Sequence, residues 1–312
     1  MVKDISLGYD PSPPGKYKIT KVLVDSDFDG IVSAAILRNI YPAAHLYLGN
    51  YMGVERGDYL NFVDKQTAVV DMGYISGCGL YFDHHESNKP KVKNFPGRWR
   101  NLLSAGRVVY EYFKDVADLK KFAVILDDLD KFDSGLVKLK DVLNPSAVLK
   151  LAFSTNRVDL SFDRILIKLL AEKSLANVME NDFVKEYLAL EDRIKKTFYL
   201  YLKHNSKVID KVAFVDLEKY AGEKIHSYFI TTQFPDIDVL VLFKKYPDFF
   251  RATMYINKLK DDPKEYDLLK IAKKINPQRA GGHKFSCGFA FPENKTIPQI
   301  EQVILKELDS QK

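Results

Sequence analysis

Short apolar runs alternate with longer amphipathic segments through the first half of the chain. Runs rich in apolar, β-branched and aromatic residues predict strands at residues 21–25, 44–48, 67–71 and 79–83. Between and after them, apolar positions recur at helical spacing and predict helices near residues 30–41, 104–113 and 119–126. Because nearly all-apolar strands alternate with helices, this half predicts an α/β fold with a parallel sheet that is covered on both faces.

The second half of the chain carries a separate series of elements. A helical pattern runs from about residue 159 to residue 204, and its charge-laced part after residue 183 predicts a helix that links two domains. Strands follow at residues 212–217, 238–243 and 250–256, and helices near residues 223–234, 265–275 and 298–308. We therefore predict an N-terminal domain over residues 1–195 and a smaller α/β domain over residues 196–312.

The amino-acid composition and net charge narrow the class of protein to which the chain can belong. Hydrophobic residues make up 46% and charged residues 29% of the 312 positions, a balance typical of a globular protein with a sizeable core. The net charge of +5 is compatible with an anionic substrate, but it is too small to indicate duplex nucleic-acid binding by itself. We find no apolar run of the ~18 residues that span a membrane, no secretory signal and only two cysteines, so we expect a cytoplasmic protein without disulfides.

Three aspartates alternate where the first predicted strand gives way to a helix. Asp25, Asp27 and Asp29 lie at the carboxyl edge of the sheet, where α/β proteins bind ligands. A divalent cation would offset the repulsion among these carboxylates, and Gly30 would allow a tight turn as the helix begins. An EF-hand does not fit, because its twelfth position would be Ile36. The remaining alternative is local capping, with Asp29 as the helix N-cap.

Two further strands also end in acids. Asp71 closes one buried run, and Asp83 closes the next, followed at once by His84 and His85. A neutral imidazole binds a divalent metal through one nitrogen while its other nitrogen is held by a neighbouring acceptor. Each motif alone has an ordinary structural explanation, but the coincidence of three strand ends predicts a metal centre.

An acidic cluster follows the predicted helix at residues 119–126. One of its acids could complete the metal shell and the others could be caps or surface charges, but the residues alone do not say which: Asp127, Asp128, Asp130 and Asp133. Many oxygen ligands with an imidazole suit manganese or magnesium better than structural zinc. With this many acids we expect two ions, roughly 3.5–4 Å apart, that activate a water for in-line displacement at phosphorus.

A distant motif combines glycines with cationic groups. Gly281 and Gly282 would let the backbone approach a ligand, and Arg279, His283 and Lys284 could hold phosphate oxygens. The alternative is a glycine turn with incidental charge. Since the motif lies in the predicted second domain, we expect it to be a substrate clamp that closes on the first.

These motifs together resemble the DHH phosphoesterases, in particular the two-domain members with a C-terminal DHH-associated domain. Four features match in order and approximate spacing: the Asp-x-Asp-x-Asp-Gly run at residues 25–30, Asp71, the Asp-His-His triplet at residues 83–85, and Gly-Gly-His at residues 281–283. The resemblance covers about residues 18–310. RecJ-type exonucleases, nanoRNase-type oligoribonucleases, phosphoadenosine phosphate phosphatases and exopolyphosphatase-like proteins belong to this family.

The resemblance implies a role for each matching residue. Two manganese ions, with magnesium or cobalt as alternatives, would be held by Asp27, Asp29, Asp71 and His84. Asp71 would bridge the ions, and the catalytic residues would be Asp29, His84 and His85, with His85 near the scissile phosphate. A later acid would complete the shell, and a similarity to exopolyphosphatase-like members favours Asp130 over Asp128. The grip on substrate phosphate would be formed by Gly281, Gly282 and His283, with Arg279 as a helper.

Two departures from the family pattern affect these expectations. Many members carry a histidine four residues before the first metal acid, where this chain has Leu23. RecJ-type members use an acid two residues before it, and Asp25 fits that pattern, so we include Asp25 among the predicted ligands. Ala280 replaces a further glycine found in many relatives, and this departure bears on the identity of the substrate.

The leading functional hypothesis is hydrolysis of phosphodiester bonds in short oligonucleotides by a water that bound metals activate. Polyphosphate or a nucleoside bisphosphate is the alternative substrate. A hypothesis from another class is an inactive binding module, which the retained acids and the histidine pair argue against. The sequence leaves the oligomeric state open, with a homodimer as one option, and it gives no reason to expect a membrane partner.

Overall fold

The computed structural model describes residues 6–8, 16–155, 160–223, 225–291 and 294–311. The chain divides into two compact units, the first formed by residues 1–136 and 145–189 and the second by residues 137–144 and 190–312. The predicted start of the helical segment at residue 159 lies outside the described residues. The helix predicted as a link is a single helix, Asp182–Asn205, which carries the chain from the first unit into the second.

The strands form two six-stranded sheets, one in each unit. In chain order the strands are β1 (Ser6–Gly8), β2 (Lys21–Asp25), β3 (His45–Gly49), β4 (Thr67–Val70), β5 (Leu80–Asp83), β6 (Gly97–Arg100), β7 (Ser206–Ile209), β8 (Val212–Asp216), β9 (Val239–Tyr246), β10 (Phe249–Ile256), β11 (Ala280–His283) and β12 (Ser286–Phe291). The first sheet has the order β1-β6-β5-β4-β2-β3, and the second has the order β11-β12-β10-β9-β8-β7.

Helices cover the sheets and carry most of the connections. In chain order they are α1 (Phe28–Ile40), α2 (Tyr51–Arg56), α3 (Ala105–Phe113), α4 (Ala123–Asp133), α5 (Leu139–Leu143), α6 (Ala147–Ser154), α7 (Ser161–Glu172), α8 (Leu175–Met179), α9 (Asp182–Asn205), α10 (Ser227–Thr232), α11 (Leu268–Ile275) and α12 (Ile297–Asp309). None of the described helices combines the length and apolarity that crossing a bilayer requires.

The first unit is built on parallel strands, as the alternation of strands and helices predicts. β3, β2, β4, β5 and β6 all run in the same direction, and only the short β1 is antiparallel to its neighbour. β4 and β5 are buried along their whole length, which explains why their sequences are nearly all apolar. Because the strands are parallel, the carboxyl ends of β2, β4 and β5 meet at one edge of the sheet.

The second unit has a mixed sheet with a core on one face. β8 and β9 are parallel and the other neighbours are antiparallel. Alternate residues of β8, β9, β10 and β12 pack with α11 and α12 in one buried apolar cluster. The glycine-rich segment, for which a turn was the structural alternative in the sequence, forms β11, an edge strand that pairs with β12.

Candidate metal centre

The carboxyl edge of the first sheet gathers the residues that the strand-end pattern singled out. Asp25 is the last residue of β2, Asp71 directly follows β4, and Asp83 is the last residue of β5. β4 lies between β2 and β5 and pairs with both in parallel. The three acids therefore emerge on neighbouring strands, and His84 and His85 follow the third.

Asp27 and Gly30 shape the turn from β2 into α1. Asp27 is the N-cap of α1, and its Oδ1 accepts a hydrogen bond from the Gly30 amide at 3.0 Å. The capping role that the sequence offered to Asp29 thus belongs to Asp27, because Asp29 lies inside the first helical turn. Position 30 has room only for glycine, because a Cβ built there would lie 2.0 Å from the Asp25 carbonyl oxygen.

Asp29 is buried and fixed by the start of another helix. Its Oδ2 accepts from the Ala105 amide at 2.6 Å, and its Oδ1 accepts from the Gly106 amide at 2.7 Å. Both amides belong to the first turn of α3, where unpaired N–H groups and the helix dipole favour an anion. Ser104 caps the same helix by accepting from the Arg107 amide. These two hydrogen bonds therefore fix the position of the Asp29 side chain.

Asp71 is a buried acid whose Oδ1 lies 3.9 Å from His84 Nε2 and 3.5 Å from His85 Nδ1. Its backbone takes the left-handed conformation with φ of 57°, while its amide still donates to the Phe82 carbonyl at 3.0 Å. Within the described part of the chain, neither of its carboxylate oxygens has a hydrogen-bond partner, although both are buried. An orphaned buried carboxylate on an uncommon backbone conformation is costly to the fold, and such features cluster at functional sites.

His84 is oriented with one nitrogen toward the acids. Its Nδ1 lies 3.1 Å from the Leu102 carbonyl oxygen, which can only accept, so the proton belongs on Nδ1. Its Nε2 lies 3.7 Å from Asp29 Oδ2, 3.9 Å from Asp71 Oδ1 and 3.2 Å from Asp133 Oδ2. A carbonyl behind the imidazole is the usual arrangement for a histidine that binds metal through its other nitrogen.

Both carboxylate oxygens of Asp83 have hydrogen-bond partners, and one of them holds the histidine pair in place. Its Oδ1 accepts from the amides of His84 and His85 at 2.6 and 2.8 Å and lies 3.0 Å from His85 Nδ1. Its Oδ2 lies 3.0 Å from the Tyr81 hydroxyl and 2.8 Å from Asn88 Nδ2. The His85 side chain is 41% exposed, so its ring is anchored by Asp83 at one nitrogen and open to solvent at the other end.

The structure brings Asp133, and not Asp130 or Asp128, to the cluster. Asp130 accepts from the Ser104 hydroxyl at 2.6 Å and from Arg107 Nε at 2.7 Å. Asp128 pairs with Lys131 and Ser146. These partners occupy the carboxylates of Asp130 and Asp128, whereas Asp133 contacts His84 Nε2. We therefore propose Asp133 rather than Asp130 as the late ligand.

Burial and crowding favour the protonated forms of these acids in the absence of a cation. Burial, together with the negative charge of Asp27, raises the pKa of Asp25 to about 7. Burial and nearby carboxylates raise the pKa of Asp27, and they raise those of Asp29 and Asp71 well above the ordinary value. Burial lowers the pKa of His84, but Asp133 and Asp29 outweigh it and raise that pKa to about 10.

The donor set fits a divalent cation. Two overlapping groups have ligand atoms within 4.8 Å of one another, namely Asp29, His84 and Asp133, and Asp71, Asp83, His84 and His85. Carboxylates with an imidazole suit manganese or magnesium, and a cation would supply the partner that Asp71 lacks. Neither group includes Asp25 or Asp27, whose charges nevertheless act on the same acids, so their place in the ligand set stays a prediction.

The predicted substrate residues lie on β11 of the second unit. Gly281, Gly282 and His283 are exposed, and Gly282 has a φ of 119° that favours glycine. Gly282 also lacks room for a side chain, since a Cβ there would lie 2.6 Å from the Ser286 carbonyl oxygen. Arg279 is exposed and its guanidinium lies 5.8 Å from the centre of the Phe249 ring.

Sequence reasoning missed the residues that position the site from behind. Trp99 Nε1 donates to the His85 carbonyl at 3.0 Å, and Asn88 donates to Asp83. The contact between Asp29 and the amide of Ala105 joins positions 76 residues apart and has no local signal. Asp133 was among the four acids that the sequence left open, and it lies three residues after the buried Asp130 on α4 and so shares its helix face.

Comparison with known proteins gives the fold. No protein-family model and no curated protein matches the sequence. The pGpG-specific phosphodiesterase PggH from Vibrio cholerae superposes with a TM-score of 0.76 at 18% identity, over 93% of this chain and 99% of that one. RecJ from Thermus thermophilus in complex with Mn²⁺ superposes with a TM-score of 0.58 at 15% identity, over 93% of this chain and 52% of that one.

A further solved structure, the DHH domain of a protein assigned to a family of ribosomal proteins, has a TM-score of 0.59 at 15% identity, over 95% of this chain and 87% of that one. Identities this low establish the fold and leave the activity to the site itself. The chain therefore has the two-domain fold of the DHH phosphoesterases, and the fold that the sequence motifs implied is confirmed.

Proposed function

We propose that the protein is a divalent-metal-dependent phosphodiesterase that hydrolyses short oligonucleotides. The observation that carries this proposal is the Asp71 carboxylate, which is buried, has no hydrogen-bond partner within the described residues and lies 3.9 Å from His84 Nε2. Acids that repel one another beside an oriented imidazole are stabilised by a cation. The similarity in fold to PggH, a phosphodiesterase named for the dinucleotide pGpG, supports this substrate class.

One set of residues in this chain would bind the cations at such a site. Asp29, Asp71, Asp133 and His84 would hold two cations, with Asp25 and Asp27 as additional candidate ligands. Bound divalent ions lower the pKa of a water and neutralise charge on phosphoryl oxygens. Manganese is our preferred ion, with magnesium or cobalt as alternatives, because oxygen ligands dominate the set.

His85 would act on the substrate rather than on the cations. Asp83 Oδ1 lies 3.0 Å from its Nδ1 and orients the ring, while the side chain is 41% exposed. Its Nε2, at the other end of the ring, would then be placed to act on a phosphoryl oxygen or on the leaving oxygen. Trp99 and Asn88 keep this pair in place through the His85 carbonyl and Asp83.

Release of mononucleotides from di- to pentanucleotides in the presence of Mn²⁺ tests the proposal. Polyphosphate and phosphoadenosine phosphate serve as parallel substrates, since both are the alternatives that the motifs leave open. We expect turnover of the dinucleotide by the wild type and its loss in His84→Ala. Equal release by the wild type and His84→Ala would contradict the proposal, and turnover confined to polyphosphate or phosphoadenosine phosphate would reassign the substrate.

The metal content separates an enzyme from a binding module. A module without chemistry would have no need of the ligand set, so elemental analysis after dialysis against Mn²⁺ would find little bound metal. We expect retained manganese in the wild type and a loss in Asp71→Asn, whose amide keeps the shape of the side chain and removes its charge.

A further inference from the structure

The candidate ligands Asp29, His84 and Asp133 come from three separate segments of the chain. Asp29 lies in the first turn of α1, His84 directly follows β5, and Asp133 is the last residue of α4. Their ligand atoms nevertheless lie within 4.8 Å of one another. The local conformation of each segment cannot set the distances among them, so these distances depend on the contacts that join the segments.

The segment that leads into α3 contacts two of these three ligands. The Ala105 and Gly106 amides donate to Asp29 at 2.6 and 2.7 Å. Just ahead of the helix, the Leu102 carbonyl oxygen lies 3.1 Å from His84 Nδ1. There is little space here, since a Cβ built at Gly106 would lie 3.2 Å from Asp29 Oδ1 and 2.7 Å from a leucine methyl carbon of α4. α3 therefore begins in close contact with both Asp29 and α4.

Ser104 joins this segment to α4. Its buried hydroxyl donates to Asp130 Oδ1 at 2.6 Å and accepts from the Arg107 amide at 3.1 Å. The first three N–H groups of a helix have no partner inside that helix and need acceptors from elsewhere. In α3 two of them are satisfied by Asp29 and the third by Ser104, so the helix start is held by these two side chains together.

Asp130 is itself fixed, and it lies one helical turn before Asp133. Arg107 Nε donates to Asp130 Oδ2 at 2.7 Å, so both carboxylate oxygens of this buried acid are occupied. Positions three residues apart share a helix face, and Asp133 Oδ2 lies 3.2 Å from His84 Nε2. The same face of α4 thus supplies a candidate ligand and, one turn earlier, the acceptor for Ser104.

We propose that Ser104 is a positioning residue of the metal centre. By donating to Asp130 it fixes the start of α3 on α4, and so it sets where Asp29 and His84 meet Asp133. The inference rests on the proposed function for the presence of bound divalent cations, and it adds a role for an acid that does not reach them. A serine that served only as an N-cap could be replaced by glycine, which caps nearly as well, without a change in the affinity for metal.

A second serine bonded to α4 offers a matched control. Ser146 is the N-cap of α6, donates to Asp128 Oδ2 at 2.6 Å and accepts from the Leu149 amide at 3.1 Å. Asp128 also lies on α4. Within the described ranges, neither Ser146 nor Asp128 forms a hydrogen bond with a candidate metal ligand. Since Ser146 is exposed and Ser104 is buried, the stability of each variant is measured alongside its affinity for metal.

Calorimetric titration of the full chain with Mn²⁺, well below the unfolding temperature, measures the metal affinity, and urea unfolding in a chelator measures the stability. Ser104→Ala and Ser104→Gly are both expected to weaken Mn²⁺ binding on the order of 10-fold, the factor that corresponds to one hydrogen bond to a charged group. Ser146→Ala is expected to bind Mn²⁺ as the wild type does. Asp130→Asn is expected to stay near the wild-type affinity, because its amide oxygen still accepts from Ser104.

The glycine variant and the control decide the outcome. Wild-type affinity in Ser104→Gly would overturn the proposal, because a capping role would then be sufficient. Equal losses of affinity in Ser104→Ala and Ser146→Ala would also overturn it, since the effect would not depend on the helix that holds Asp29. If Ser104→Ala does not fold, as judged by circular dichroism, Ser104→Gly carries the same test. A wild type that binds no Mn²⁺ would refute the proposed function and this inference with it, whereas an unaffected Ser104→Gly refutes the inference alone.

Discussion

Replacing Asp133 by asparagine tests which acid of α4 belongs to the metal centre, and Asp130→Asn is its matched control. Asp133 Oδ2 lies 3.2 Å from His84 Nε2, whereas Asp130 Oδ2 lies 2.6 Å from Arg107 Nη2. Asparagine preserves the size of each side chain and one of its oxygens, and removes only the charge. The two substitutions are therefore chemically identical and differ only in what the lost charge was facing.

The size of the effect follows from the distances. A cation held among atoms that lie within 4.8 Å of one another is closer than about 4 Å to each. A divalent ion and a carboxylate at about 4 Å attract each other by about 8 kcal/mol at an effective dielectric near 20, and the cost of removing both from water offsets about half of this, which leaves about 4 kcal/mol. Since about 1.4 kcal/mol is a factor of ten, Asp133→Asn is expected to weaken Mn²⁺ binding by about three orders of magnitude. Asp130→Asn loses a charged hydrogen bond instead, and its free energy of unfolding is expected to fall by about 1.5–3 kcal/mol.

Calorimetric titration with Mn²⁺ and urea unfolding in a chelator measure the two quantities separately. We expect Asp133→Asn to change the dissociation constant of the metal, and Asp130→Asn to change chiefly the unfolding midpoint. Wild-type affinity for Mn²⁺ in Asp133→Asn, together with lost affinity in Asp130→Asn, would refute the reasoning and restore Asp130 as the ligand.

Three further predictions address the neighbouring residues. Gly30→Ala is expected to lower the free energy of unfolding by about 3 kcal/mol, because its Cβ would lie 2.0 Å from the Asp25 carbonyl oxygen; Gly281→Ala, with open space around the new methyl group, is the control in urea unfolding. His85→Gln is expected to retain bound manganese in elemental analysis while kcat for a dinucleotide falls by about 100-fold or more. The chelator-treated protein is expected to lose thermal stability as pH rises from 5 to 8, because the folded-state pKa is raised both for Asp25, to about 7, and for His84, to about 10. A raised pKa contributes stability that is present below the unfolded-state value and is lost as pH rises through the folded-state value, so a melting temperature that increases over this range would contradict the assignment.

The sequence predicted which acids and histidines converge where they follow the ends of predicted strands. Asp25, Asp71 and Asp83 each lie at the end of a buried apolar run, and the parallel order of β2, β4 and β5 follows from the same runs. Once those strands are neighbours, their ends share one edge, so local patterns were sufficient to predict that these residues converge. The four parallel strands β2 to β5 were predictable for the same reason, whereas β6 (Gly97–Arg100) was not predicted, because its sequence alternates charged residues with Gly and Trp.

Contacts between distant segments of the chain could not be predicted from the sequence. Asp29 is fixed by α3 amides 76 and 77 positions away, and no local pattern announces that contact. Among the acids of α4, Asp130 and Asp133 share a helix face at a spacing of three residues, and only the position of Arg107 and Ser104 directs Asp130 elsewhere. The β11 strand was missed because its glycines carry no alternation of polar and apolar side chains.

The stoichiometry of Mn²⁺ binding tests the central claim most directly, because the account rests on acids whose burial and mutual repulsion require cations. Elemental analysis after equilibrium dialysis of the wild type and Asp71→Asn would count the ions on each chain. The account predicts two manganese ions per wild-type chain and a clear loss in Asp71→Asn. A wild-type chain that retains less than one ion, or a variant that binds as many ions as the wild type, would contradict it.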